Sequence, residues 1–257
     1  MEYFKRRFKM GRFITFLALT AGLIVFLSMS TAAQTTDSLK VDTAKTTLQP
    51  FANAMFASQY VWRGVMLDNK PNIQPLIGVS YGGFEVGAFG SISTVNSYSE
   101  YDTYIAYTYK CLKLSVTDFY VDLSGPANSQ RYFNYSDTIG YHHVTCDLVF
   151  TGGKKFPVKL TASTMVYSGW DLDSLGKQKY TTYLEARYLH NNFEAFVGVI
   201  SGQSNFYLND QEGFNVLNVG VAYNYKLKFT NFDVPIVTQF CVNPEMEKVY
   251  LTFALTF

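Results

Sequence analysis

From Phe51 onward, apolar and polar residues alternate with period two, in short segments separated by turn residues. That period puts successive side chains on opposite faces of a β-strand. The last ten residues show it most clearly. Val249, Leu251, Phe253, Leu255 and Phe257 share one face, and Lys248, Tyr250, Thr252, Ala254 and Thr256 share the other. A terminal strand with an unbroken apolar face is unusual in a soluble protein, where termini fray. A membrane barrel requires one, because its last strand must pair with its first to leave no edge in lipid.

The pattern predicts strands near 51–63, 73–81, 84–92, 101–109, 112–122, 136–150, 156–167, 179–189, 193–201, 214–225, 233–242 and 248–257. A phase slip at Asp118-Phe119 suggests a bulge in the fifth. No helical periodicity competes with them after residue 34. The connections alternate in length. Those at 64–72, 93–100, 123–135, 168–178 and 202–213 are long or polar, and those at 82–83, 110–111, 151–155 and 190–192 are short. Outer-membrane barrels have long outer loops and short periplasmic turns. The connections at 226–232 and 243–247 follow this rule less well. The expected fold is all-β: a closed antiparallel transmembrane barrel of twelve strands in an up-and-down meander over residues 51–257.

Alternation alone does not say which face points inward. A soluble carrier barrel would turn its apolar face in and would have about eight strands. The strand number, an export signal and the apolar C-terminal face favour the membrane form. A charge facing lipid near the midplane costs about 2–4 kcal/mol. Arg63, Glu85, Asp102, Lys113, Asp147, Lys159, Lys179, Glu185, Arg187 and Glu194 are therefore assigned to the lumen or its ends. Arg63, Asp102, Asp147, Lys159, Glu185 and Arg187 are the candidates for a constriction. Arg63 could select by charge, as rings of charged side chains do, or simply pair with Asp102 or another acid. Lys159, Glu185 and Arg187 could narrow the lumen or close it with a salt-bridge network. Leu251, Phe253, Leu255 and Phe257 are the candidate assembly signal.

Composition agrees with this picture. Aromatic residues make up 17% of the chain, with 20 Tyr and 22 Phe, which suits aromatic girdles. Mean hydropathy is +0.01, too low for a helical membrane protein. A net charge of +1 gives no reason to expect nucleic acid as a partner. Near the start, Lys5, Arg6, Arg7, Lys9 and Arg12 precede an apolar run from Phe13 to Leu27 and then small residues. This reads as a secretory signal peptide over 1–34, followed by a flexible periplasmic lead-in over 35–50. The alternative is an N-terminal anchor.

Candidate chemistry is sparse. Cys111, Cys146 and Cys241 are odd in number and widely spaced, so they read as isolated apolar residues rather than a disulfide framework or metal site. His142 and His143 are neighbours and would face opposite sides of a strand. His143 could pair with Asp147 in the lumen. A hydrolytic triad would need a nucleophile and an acid around one of them, and nothing specific marks one. The polar loop 202–213 has no ion-loop spacing. No cofactor, metal or enzymatic activity is expected.

Several stretches together resemble the TorF-type porins, an outer-membrane family of Gram-negative bacteria. They are Ser58-Gln59-Tyr60-Val61-Trp62-Arg63-Gly64-Val65, Gln74-Pro75-Leu76 running into Val86-Gly87-Ala88-Phe89-Gly90-Ser91, Tyr101-Asp102 with Tyr107, and Val242-Asn243-Pro244-Glu245-Met246-Glu247-Lys248-Val249-Tyr250-Leu251. The resemblance implies that Tyr60, Arg63 and Gly64 form a Tyr-x-x-Arg-Gly element that opens the barrel. It implies that Asn243, Pro244 and Glu245 form the turn before the last strand. It covers both ends of the barrel, while the middle (112–210) reads as generic strands, and it implies no substrate.

The expected function is a Gram-negative outer-membrane porin that lets small polar solutes or ions diffuse passively, with weak ion selectivity because the interior charge is mixed. The alternative is a non-conducting structural or interaction barrel with a filled lumen. Expected partners are outer-membrane lipid and the barrel-assembly machinery, which would read the C-terminal strand.

Overall fold

The computed structural model describes residues 47–95, 98–122, 132–135 and 141–257. The expected signal peptide and residues 35–46 of the lead-in lie outside the described residues. The strands are β1 (Gln49–Ala57), β2 (Tyr60–Trp62), β3 (Val65–Asp68), β4 (Asn72–Tyr81), β5 (Phe84–Ser93), β6 (Ser99–Tyr109), β7 (Leu112–Asp122), β8 (His142–Thr151), β9 (Val158–Ser168), β10 (Thr182–His190), β11 (Phe193–Ile200), β12 (Asn215–Lys228), β13 (Asp233–Asn243) and β14 (Lys248–Thr256). Among the described residues, twelve of these close an antiparallel barrel in sequential order, and β2 and β3 form a separate hairpin.

The wall folds as its alternation dictates. On β14 Val249, Leu251 and Phe253, and just beyond it Phe257, point away from the lumen and stay exposed, Leu251 at 67% and Phe257 at 68%. Ile77, Phe84, Val86, Ile105, Tyr107, Leu114, Val116, Val197, Val221 and Tyr223 are also exposed on their strands. The buried set is the reverse: Asn72, Gln74, Ser91, Glu100, Asp102, Ser115, Thr117, Asp147, Ser163 and Glu185. An apolar outside around a polar inside is the chemistry of a barrel that faces lipid. The fold is therefore an outer-membrane-type barrel.

Tight turns match their sequences. Gly82 and Gly83 take positive φ (57° and 91°) in the β4–β5 turn, as the hairpin turn requires. Only 229–232 separate β12 from β13, so this turn is short like the others at its end of the barrel. The β13–β14 connection is also short although it lies at the end that carries the long loops.

Closure is the weakest part of the wall. β1 pairs with β4 at nine positions but with β14 at three, Met55–Thr256, Phe56–Leu255 and Ala57–Ala254. Beyond these, Ala54 and Phe257 exchange both backbone hydrogen bonds (3.0 and 2.9 Å). Ser58 N–H donates to Phe253 O, and Phe253 N–H donates to Ser58 Oγ.

Two expectations are corrected. The strand predicted at 51–63 ends at Ala57, and the chain then leaves the wall. The phase slip at 118–119 is no bulge, since β7 pairs without a register shift on both sides. Asp118 instead occupies an outward position, where its carboxylate meets His142 Nδ1 at 2.9 Å and accepts from Tyr135 Oη at 2.7 Å. Register shifts occur elsewhere, at Val144/Thr145 and Gly198/Val199.

Candidate functional site: a hairpin inside the barrel

The chain between β1 and β4 turns into the lumen as the β2–β3 hairpin. Its tip is Arg63-Gly64, both at positive φ (50° and 80°). Glycine is needed at 64 for a second reason. A Cβ there would sit 2.0 Å from the carbonyl oxygen of Leu217 on β12. The hairpin backbone thus rests directly on β12.

Side chains fix it there. Arg63 Nη1 donates to Tyr207 Oη (2.7 Å), and Nη2 lies 3.9 Å from Asp147 Oδ1, with both side chains fully buried. The guanidinium lies over the Trp62 and Tyr183 rings at 4.3 and 4.7 Å, within cation–π range. Asn243 Nδ2 donates to Gly64 O (2.9 Å), and its Oδ1 accepts from Met246 N–H (3.0 Å). Tyr60 Oη donates to Glu100 Oε1 (3.3 Å), and Tyr98 donates to the other oxygen of the same carboxylate.

Packing fills the rest. Trp62, Phe119, Tyr183, Ile200, Tyr207 and Leu217 form one buried cluster. Trp62 and Tyr207 stack at 5.4 Å, and Phe206 packs edge-on against Trp62. Phe206 and Tyr207 belong to the loop after β11, so a second segment also enters the lumen. Val61 and Met66 pack on Phe196, Ala222, Cys241 and Tyr250. Burial raises the Tyr207 phenol above its ordinary range against the opposing pull of Arg63.

The predicted constriction residues separate into two groups. Arg63 and Asp147 meet, but Arg63 sits on the hairpin and not on the wall. Asp102 lies on β6 beside Glu100, away from the role of partner to Arg63. Nearer the short-turn end, Glu185 Oε1 accepts from Arg187 Nε (3.0 Å), and Arg187 Nη1 donates to Glu194 (2.7 Å). Asn224 Nδ2 donates to Glu194 as well (2.9 Å). Lys159 stands opposite Arg187 in register and outside this network. The network therefore runs along β10–β12 and does not span the lumen. Lys113 pairs with Glu85 at 3.4 Å. Lys179 is corrected: it lies in the β9–β10 loop and reaches Gln203 O. His143 bonds Ser168 Oγ at 2.6 Å rather than Asp147.

Access falls with depth. The Lys113 and Glu85 side chains are 27% exposed, Arg187 and Glu194 are 12–13%, and Arg63 and Asp147 are at 0%. Side-chain exposure thus falls from the short-turn end toward the Arg63 tip.

Sequence reasoning did not find Trp62, Gly64, Phe206, Tyr207 and Asn243 as lumen residues. One signal was present: the two motifs behind the family resemblance touch, through Gly64 and Asn243.

The fold and site define an outer-membrane-type barrel with a hairpin of its own chain folded into the lumen. No family model matches the chain, and no curated protein matches it. It is similar to a solved outer membrane channel from Pseudomonas putida F1, with 12% identity, a TM-score of 0.39, and coverage of 84% of this chain and 97% of the other. That degree of likeness bears on neither solute nor conduction.

Proposed function

We propose that this protein is a porin-type barrel of the Gram-negative outer membrane that passes small polar solutes or ions only when the β2–β3 hairpin leaves the lumen. The observation that carries this is the Arg63-Gly64 tip, buried and tied to β8, β12, β13 and the β11–β12 loop. The TorF-type resemblance supports the reading, because its two end motifs form that tie. The apolar face of β14 supports contact with outer-membrane lipid and recognition by barrel-assembly machinery.

The test is conductance in planar bilayers. The full chain should stay closed for most of the record. A variant with residues 60–68 replaced by a Gly-Ser linker should conduct steadily. Steady conduction by the full chain would remove the closure. A linker variant that folds, judged by heat-modifiable gel mobility, yet never conducts would favour the second reading. In that reading the barrel is permanently filled and serves structure or interaction. The number of independent ties on the hairpin is the observation in its favour.

A further inference from the structure

Lumen charge is distributed unevenly between wall and hairpin. Near the short-turn end the wall carries three acids, Glu85, Glu185 and Glu194, and three bases, Lys113, Lys159 and Arg187. That zone is balanced, and most of its members are paired. The zone facing the hairpin is different. Its wall carries Glu100 and Asp102 on β6 and Asp147 on β8, all buried. Among the described residues, the cation set against this zone is Arg63, which belongs to the hairpin. Arg63 meets Asp147 there, and Glu100 is met from the hairpin by the Tyr60 hydroxyl.

The wall around these acids is also underused. Ser115, Asp147 and Ser163 stand side by side across β7, β8 and β9. Ser115 Oγ and Asp102 Oδ1 are buried without a hydrogen-bond partner. Such oxygens are costly to keep dry and are satisfied by water or a polar ligand when one can reach them. The hairpin meanwhile packs its apolar side on β11–β14, through Val61 and Met66. Its departure would wet the β6–β9 wall.

The geometry points to a cation-selective open state, in which the hairpin carries Arg63 away from Asp147 and Tyr60 away from Glu100, and leaves the carboxyls of Glu100, Asp102 and Asp147 facing the conduit. The selected solutes are small cations, and the three carboxylates are the specificity-determining groups. This inference rests on the closure reading. It also departs from the weak selectivity that a mixed interior predicts, because the mixture separates when the hairpin moves.

The experiment uses the barrel with residues 60–68 replaced by a Gly-Ser linker, in a planar bilayer under a KCl gradient. The reversal potential should show K⁺ preferred over Cl⁻ by about fivefold, in line with a ring of carboxylates. Glu100→Gln, Asp102→Asn and Asp147→Asn, singly and then together, should bring the ratio stepwise toward one with folding retained by gel mobility. A linker variant that conducts without preference, or prefers Cl⁻, overturns the inference and leaves the closure reading intact. A folded linker variant that never conducts overturns the closure reading and this inference with it.

Discussion

Arg63 shows how one side chain can be legible in type and misplaced in space. Its charge marked it as a lumen residue, and it lies in the lumen. Its partner is Asp147 and not Asp102, because the chain leaves the wall at Ser58 and carries Arg63 across to β8. Period-two alternation could not reveal that departure. Tyr60 and Trp62 continue the phase of Ala52, Ala54 and Phe56, and a single polar residue, Ser58, interrupts it. The buried pair gives a clear expectation. Arg63→Ala leaves Asp147 buried without its cation, a change that costs about 3 kcal/mol. Denaturant unfolding of the folded barrel should show that loss, and Arg63→Met combined with Asp147→Leu should recover most of it. A single variant as stable as the parent would mean that the 3.9 Å approach contributes nothing.

Elements were easier to read than their ends. Eleven of the twelve wall strands lie where the alternation places them, with boundaries shifted by a few residues, and residues 136–140 of the strand expected at 136–150 lie outside the described residues. The exception is the first, which divides into β1 and the hairpin. The physical reason is that a wall strand and an inward hairpin both bury one face, and only tertiary contact tells them apart. The hairpin's hold on β13 can be tested through Asn243. Asn243→Ala strips Gly64 O and Met246 N–H of one buried partner, worth about 1–3 kcal/mol. Hydrogen exchange of amides in 60–68 should quicken by about tenfold or more, while β6 and β7 amides keep their protection. Equal acceleration everywhere would instead indicate general loosening of the barrel.

At the scale of the whole molecule, the C-terminal strand turns an apolar face outward and joins β1 at the seam, and Phe257 contributes to both through its exposed ring and its backbone bonds to Ala54. Deleting Phe257 should remove those two bonds and lower the folded fraction, read as the heat-modifiable band on a gel, more than Phe257→Ser does. Equal yields for the two variants would show that the side chain alone matters.

The seam also fixes an order of events. Neighbouring wall strands join residues close in sequence, but Ser58 and Phe253, which help close the barrel, are 195 positions apart. The hairpin's own ties reach 144 positions to Tyr207 and 179 to Asn243. Contacts of such long range form late, because the chain between them must first be arranged. The segment at 60–68 is made early and has nowhere to dock until β12 and β13 stand. Docking of the hairpin and sealing of the seam therefore both depend on the last strands, so a chain truncated before β12 would lack the partners for either.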